Sequence, residues 1–211
     1  MTHRKDIILL FATRIIRMFF YGSLAVILVL YLTEAGLTAT QVGVLFTLTL
    51  AGDAGISLWL TTHADGFGRR RTLLIGAMLM LGAGLVFVLT KNLFILTFAA
   101  IIGVISPNDK EIGPFLAVEQ AGLTQLVSDK SRTNLFAWYN LGGSFSSAFG
   151  ALASGWLAQV LQTNGWSAFE AYRFILIGYA LGGLVLAVMF LGVSPAIEAV
   201  QTKTQQKKVL G

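Results

Sequence analysis

The sequence predicts an all-α fold, a polytopic transmembrane bundle of about six spans. Three observations predict it. Apolar residues make up 55% of the 211-residue chain and charged residues 12%, about half the charged share of a soluble domain. The mean hydropathy is +0.76. The charges are also clustered, in short groups that separate long apolar stretches, as in helices buried in lipid with polar connections.

A helix needs about 20 apolar residues to cross the hydrocarbon core, and six stretches approach or exceed that length. The first runs from Ile7 to Leu32. His3, Arg4 and Lys5 precede it as in a secretory leader, but the run is too long for a leader core and lacks a small-residue cleavage site, so it reads as a retained span. The second is Gln41–Thr62 and the third Thr72–Thr90. The fourth, Leu93–Val127, is the least apolar and contains Pro107 and Pro114, which predict a kink or an unwound stretch. The fifth, Asn134–Leu161, carries Gly143, Ser147, Ala151 and Gly155 at four-residue intervals beside a second row, Ser146, Gly150 and Ser154. Small residues at that interval let helices approach closely. Tyr172–Val193 is the sixth. Residues 1–193 thus read as one bundle, and 194–211 as a polar cytoplasmic tail that begins a linker, so the chain reads as half of something larger.

Orientation follows from the basic residues. With the N-terminus inside, the cytoplasmic segments hold Arg4, Lys5, Arg69, Arg70, Arg71, Lys130, Arg132, Lys203, Lys207 and Lys208, and the outer ones only Lys91 and Arg173. That asymmetry predicts a multi-pass protein of the cell membrane with both termini cytoplasmic. The same residues account for the basic pI through the anionic leaflet, so no nucleic acid is expected as a partner. Trp156 and Trp166 fall where outer aromatic anchors are expected.

The chain has no cysteine, which excludes a disulfide scaffold and a thiolate metal site. No histidine cluster, phosphate-cradling loop or paired nucleophile and base is present; Gly66-Phe67-Gly68 is too short a glycine string for a nucleotide. His63 reads as structural. No metal, no cofactor and no enzymatic chemistry are expected.

Ionisable groups within the spans demand a reason, since each costs roughly 2.5–3.5 kcal/mol near a helix centre. They are Arg14 and Arg17 in the first span, Asp53 in the second, and Asp109, Lys110, Glu111 and Glu119 in the fourth. Acids and bases nearly cancel, as pairing would require. Arg14, Arg17 and Tyr21 recur at helical spacing and form one polar stripe; Asn108, Glu111, Phe115 and Glu119 form another. At about 1.5 Å per residue, Arg14, Asp53 and Glu119 share a layer in the inner half of the bilayer, which makes Asp53 a candidate partner for Arg14 or Arg17. Two roles compete for these groups. Glu111 and Glu119 can carry a coupling proton and Arg14 or Arg17 an anionic solute, or all of them serve as buried pairs that hold helices together.

Between the second and third spans the chain reads Thr61-Thr62-His63-Ala64-Asp65-Gly66-Phe67-Gly68-Arg69-Arg70-Arg71. This resembles the signature loop between helices two and three of the major facilitator superfamily. Asp65, Gly68, Arg69 and Arg70 match at the family's spacing, while Thr61 stands where the family usually has Gly and Gly66 where it has a basic residue. The stretch from Leu123 to Arg132, followed by a small-residue helix, resembles the passage from helix four into helix five. The likeness covers essentially the whole chain, but only the N-terminal six-helix half of a twelve-helix transporter.

The resemblance implies secondary transport of a small solute by alternating access, with protons as a candidate coupling ion. It implies that spans one and four line a central cavity, so that both charged stripes face it. It also implies a gating role for the loop residues Asp65, Gly68, Arg69 and Arg70, with Asp65 capping the third helix or pairing with Arg69. The bland alternative makes Arg69–Arg71 a topology anchor only. The implied partners are the lipid bilayer, a small-molecule solute, protons, and a second six-helix half on the same or a separate chain. The family's proton-driven drug antiporters carry a Gly-Pro motif in helix five; the fifth span here has no proline. Two rival readings remain, a half-size carrier working as a homodimer and a non-transporting membrane scaffold or truncated remnant.

Overall fold

Five of the six apolar stretches correspond to a single helix each, and the fourth holds two. The computed structural model describes residues 2–103 and 115–198; the side chains of 2, 3, 53, 57, 59–66 and 130 also lie outside the description. In chain order the helices are α1 (Thr2–Glu34), α2 (Ala39–Phe67), α3 (Arg69–Leu89), α4 (Leu93–Ile102), α5 (Phe115–Leu126), α6 (Asp129–Thr163) and α7 (Ala168–Leu191), followed by a short 3-10 turn, Pro195–Ile197. Gly68 separates α2 from α3 at φ 92°, a left-handed conformation that an L side chain rarely adopts. Asn92 caps α4, its side chain accepting the Phe94 and Ile95 N–H groups at 3.0 and 3.3 Å. Ser167 and Glu170 close a reciprocal capping box on α7.

Among the described residues four helices are long and apolar enough to cross a membrane: Arg4–Glu34, Ala39–Ile56, Arg69–Leu89 and Ala168–Leu191. The fifth expected span lies within α6, whose 35 residues would reach about 52 Å at 1.5 Å each. Its Gly, Ser and Asn content makes it less apolar than its neighbours. The fourth expected span is two helices: Gly103 caps the C-terminus of α4, and α5 begins at Phe115. Pro107 and Pro114 lie outside the described residues. Large apolar side chains such as Phe94, Leu152 and Leu89 point away from the bundle, 84%, 72% and 76% exposed. On a soluble surface so much exposed apolar area would mark an interface; on a membrane bundle such a face suits lipid or another helix bundle.

The core runs along α1, which packs against α6 and α7, while α3 packs on α7 and α2 on α4. Small residues set the α1–α6 distance. A Cβ on Gly22 would stand 2.0 Å from the Ser147 carbonyl oxygen, and one on Gly150 would stand 1.9 Å from that of Phe19. The backbones touch there, and hydroxyls bridge them: Ser146 Oγ donates to the Ile15 carbonyl at 2.5 Å and Ser23 Oγ to that of Gly150 at 2.9 Å. The interface therefore draws on both predicted rows, through Gly143, Ser146, Ser147 and Gly150, whereas Gly155 faces open space.

One end of the bundle gathers the start of α1, the Gly68 turn, the end of α5 and the end of α7. At the opposite end Tyr31 stacks on Phe169 with centroids 5.2 Å apart, and Lys91 Nζ sits 4.2 Å above the same ring. The Tyr31 hydroxyl also donates to the Phe87 carbonyl at 2.6 Å. That cluster joins α1, α3 and α7.

Candidate functional site

Four polar positions on one face of α1 organise the interior: Thr13, Arg14, Arg17 and Tyr21. All are buried, Arg17 and Tyr21 at 0% exposure. Across from them Glu119 projects from α5, also at 0%. Arg17 and Glu119 form a bidentate ion pair, Nη1 donating to Oε1 at 2.8 Å and Nη2 to Oε2 at 2.7 Å. Thr13 Oγ1 donates to Oε1 at 3.1 Å, and the Tyr139 hydroxyl of α6 donates to Oε2. A carboxylate offers about four lone-pair sites, and these donors fill them.

Aromatic rings wall the pair. The Arg17 guanidinium lies 4.5 Å from the centroid of Phe115, one turn before Glu119 on α5. Arg14 is stacked 4.2 Å above the face of Tyr139, and its Nη2 donates to Asn140 Oδ1 at 3.1 Å. Phe11 meets the same tyrosine edge-on at 5.2 Å. Gly143 makes room for Arg14, since a Cβ there would stand 2.6 Å from Nε. Tyr139 thus serves both charges at once: its hydroxyl holds Glu119 and its face holds Arg14.

An ion pair with no solvent is held at a desolvation cost that only close geometry and further hydrogen bonds offset. Charge-assisted, bidentate contacts supply that geometry, and Thr13 and Tyr139 supply the further bonds. The two predicted stripes do meet, through Arg17, Phe115 and Glu119. They meet inside the bundle, enclosed by α1, α5 and α6, with Arg17, Phe115 and Glu119 all at 0% exposure. Tyr21 belongs to the buried core with Leu24 and Tyr179. The Asp53 side chain and the whole of Asn108, Asp109, Lys110 and Glu111 lie outside the described residues.

The predicted gating loop is a second charged cluster. Gly68 occupies the N-cap position of α3 without a side-chain cap of its own. The cap comes from Glu198: its Oε2 accepts the Arg69 N–H at 2.6 Å and its Oε1 the Arg70 N–H at 3.2 Å. Asp65, expected to cap α3, sits in the last turn of α2 with its side chain outside the described residues. The three arginines also part ways. Arg69 is buried, and its Nη1 donates to the Ala121 and Ile197 carbonyls at 3.2 and 3.1 Å. Arg70 reaches the carbonyls that close α7, Phe190 at 3.2 Å and Leu191 at 2.6 Å, the first of which also accepts the Val193 N–H at 3.3 Å. Of the three, only Arg71 is exposed.

Sequence reasoning missed Thr13, Tyr139, Asn140 and Glu198, and also Asp6 of α1, whose buried carboxylate accepts the Ser194 backbone N–H and hydroxyl. A signal for Tyr139 and Asn140 was present: they are adjacent polar groups one turn before Gly143, in a stretch of α6 from Leu135 to Ala158 that otherwise holds small and apolar residues, and intramembrane polar groups call for partners. Thr13 adjoins Arg14 and passes as an ordinary helix residue. For Asp6 and Glu198 neither spacing nor neighbours gave a signal.

Residues 10–210 match the Major Facilitator Superfamily. A similar protein is an uncharacterized membrane protein of Saccharomyces cerevisiae, 37% identical over 196 residues that cover 92% of this chain and 44% of the yeast protein. The chain therefore spans less than half the length of that relative.

Proposed function

Because the chain belongs to the Major Facilitator Superfamily, we propose that it forms one wall of a secondary transporter that moves a small solute by alternating access, with the Arg17–Glu119 pair on its proton or solute pathway. The observation that carries this reading is the pair itself, a fully enclosed acid and base on α1 and α5 held by side chains from three helices. Intramembrane ionisable groups of this kind mark ion and substrate pathways. A second six-helix half, on the same or another chain, supplies the facing wall. The yeast relative's greater length supports a fused second half.

In this mechanism Glu119 is the proton-bearing group. A proton arriving on Glu119 removes one acceptor site, so Arg17 or Tyr139 must let go, and the released guanidinium becomes available to an anionic solute or to a rearranged α1–α5 contact. Arg14, Tyr21, Asp53 and Glu111 are assigned to the same pathway. Asp65, Gly68, Arg69 and Arg70 are assigned to the gate. The end of the bundle that holds Arg4, Lys5 and Arg69–Arg71 faces the cytoplasm, and both termini lie on that side of the cell membrane. Residues 194–211 begin the connection to the second half.

A second reading has its own observation. The Glu119 carboxylate is already saturated by donors, which suits a structural pair in a non-transporting scaffold. Uptake into liposomes under an imposed pH gradient separates the two. Glu119→Gln in the full-length protein is expected to abolish gradient-driven accumulation while solute exchange at equal pH persists. Gradient-driven accumulation that survives Glu119→Gln in a folded protein would assign the pair to structure.

A further inference from the structure

The chain does not leave the bundle where α7 ends. Val193 is buried, and so is Ile197, at 0% exposure. Ile197 lies against α5, where a Cβ on Gly122 would meet its Cβ at 3.3 Å. Ser194 is tied to the first turns of α1: its backbone N–H donates to Asp6 Oδ1 at 3.0 Å and its Oγ to Oδ2 at 2.5 Å. Asp6 is itself fully buried. Glu198 then caps α3 through the Arg69 and Arg70 N–H groups, while Arg69 returns a hydrogen bond to the Ile197 carbonyl. The segment from Ser194 to Glu198 thus touches the start of α1, the start of α3 and the end of α5.

From these contacts we infer that Ser194–Glu198 is a strap, and that the Glu198 carboxylate sets the state of the Gly68–Arg70 turn from the far end of the chain. A carboxylate at a helix N-terminus is held by orphan N–H groups and by the helix dipole together. That hold is local and reversible, unlike a packed core. The turn at Gly68 has a left-handed backbone and no side-chain cap of its own, so Glu198 is what satisfies the first N–H groups of α3. Whatever displaces the chain beyond residue 198 pulls directly on that carboxylate. The strap thereby links the segment leaving α7 to the loop between α2 and α3, and fastens the ends of α1, α3, α5 and α7 as one unit. The inference stands apart from the transport reading, because it requires only the contacts of this end of the bundle.

The chain contains no native cysteine, so one introduced thiol reports cleanly. Ile197→Cys places a thiol under the strap, and its rate of maleimide labelling in the full chain, reconstituted in nanodiscs, measures how often the strap lifts. Leu96→Cys, buried in α4 away from the strap, reports global loosening. Adding Glu198→Ala is expected to speed labelling at position 197 by about tenfold, the scale of a lost helix cap, and to leave labelling at position 96 unchanged. Glu198→Gln keeps one acceptor and should fall between. Equal rates at position 197 with and without Glu198→Ala would overturn the strap, as would equal acceleration at both positions. Should Glu198→Ala fail to fold, Ser194→Ala tests the other fastening: acceleration at position 197 alone is expected, and an unchanged rate there counts against the strap.

Discussion

The interior cluster and the Gly68 end use the same two groups, a carboxylate and arginines, in opposite ways. In the interior Arg17 meets Glu119 face to face, and two hydroxyls complete the acceptor sites. At the end the Glu198 carboxylate takes backbone N–H groups of α3, while the Arg69 and Arg70 guanidinium groups bind backbone carbonyls of α5, the strap and α7. The difference follows from where unsatisfied backbone exists. Within a span every peptide group is bonded along its helix, so a charge can be neutralised only by another side chain. At helix ends four N–H or C=O groups lack partners, and the helix dipole favours an acid at the start and a base at the finish. Mid-helix charges are therefore mutually dependent, and end charges depend on the backbone.

The largest effect should come from breaking that mutual dependence. Glu119→Ala leaves Arg17 charged, enclosed and deprived of its bidentate partner, and is expected to cost about 3–5 kcal/mol of stability. Arg17→Ala leaves Glu119 in the same position and should cost a similar amount. Replacing both by Leu should recover most of the loss, since an apolar pair of similar size is often as stable as a buried ion pair. Denaturant unfolding of the three variants beside the parent in detergent measures all three losses. A double variant no better than either single one would mean that the cluster does not act as a pair.

A smaller change isolates one donor. Tyr139→Phe keeps the ring that Arg14 stacks on and the edge that Phe11 meets, and removes only the hydroxyl bound to Glu119. The expected loss is about 1–3 kcal/mol, the range for a hydrogen bond to a charged group or for leaving a buried acceptor short of one. The same substitution in a Glu119→Gln background should cost less, because the charge that strengthens the bond is gone. Equal costs in both backgrounds would place the contribution of Tyr139 in its packing, which would weaken the contrast with the Gly68 end.

How far each region was legible in the sequence follows the same division. The spans were legible because lipid imposes a length and a composition, and the helices α1, α2, α3, α6 and α7 each begin only a few residues earlier than expected. Arg17 and Glu119 were legible as charges with a reason to exist, and their stripes did meet. The choice of partner was not legible: nothing in the sequence singles out Glu119 for Arg17, or Asn140 and the Tyr139 ring for Arg14, and the side chain of Asp53, the expected partner of Arg14 or Arg17, lies outside the described residues. Pairing depends on how α5 and α6 are rotated against α1, which no single helix encodes. The small-residue rows pointed to close packing, but only the contacts separate Gly150, pressed on Phe19, from Gly155 in open space. Glu198 was illegible because its partners are peptide N–H groups, and those carry no residue identity.

The smallest effect tests the other arm of the comparison, that end charges act through the backbone. Arg70 and Arg71 are neighbours and count equally as positive charge at this end of the bundle. Only Arg70 has described bonds to the carbonyls that close α7, whereas Arg71 is exposed. Arg70→Ala is therefore expected to cost about 0.5–2 kcal/mol, the scale of a cation on the last turn of a helix, and Arg71→Ala no more than about 0.5 kcal/mol, as for an ordinary surface site. Unfolding of the two single variants side by side decides it. Equal losses would mean that the guanidinium–carbonyl bonds contribute nothing of their own, and that the arginines serve this end of the bundle only as charge beside the membrane.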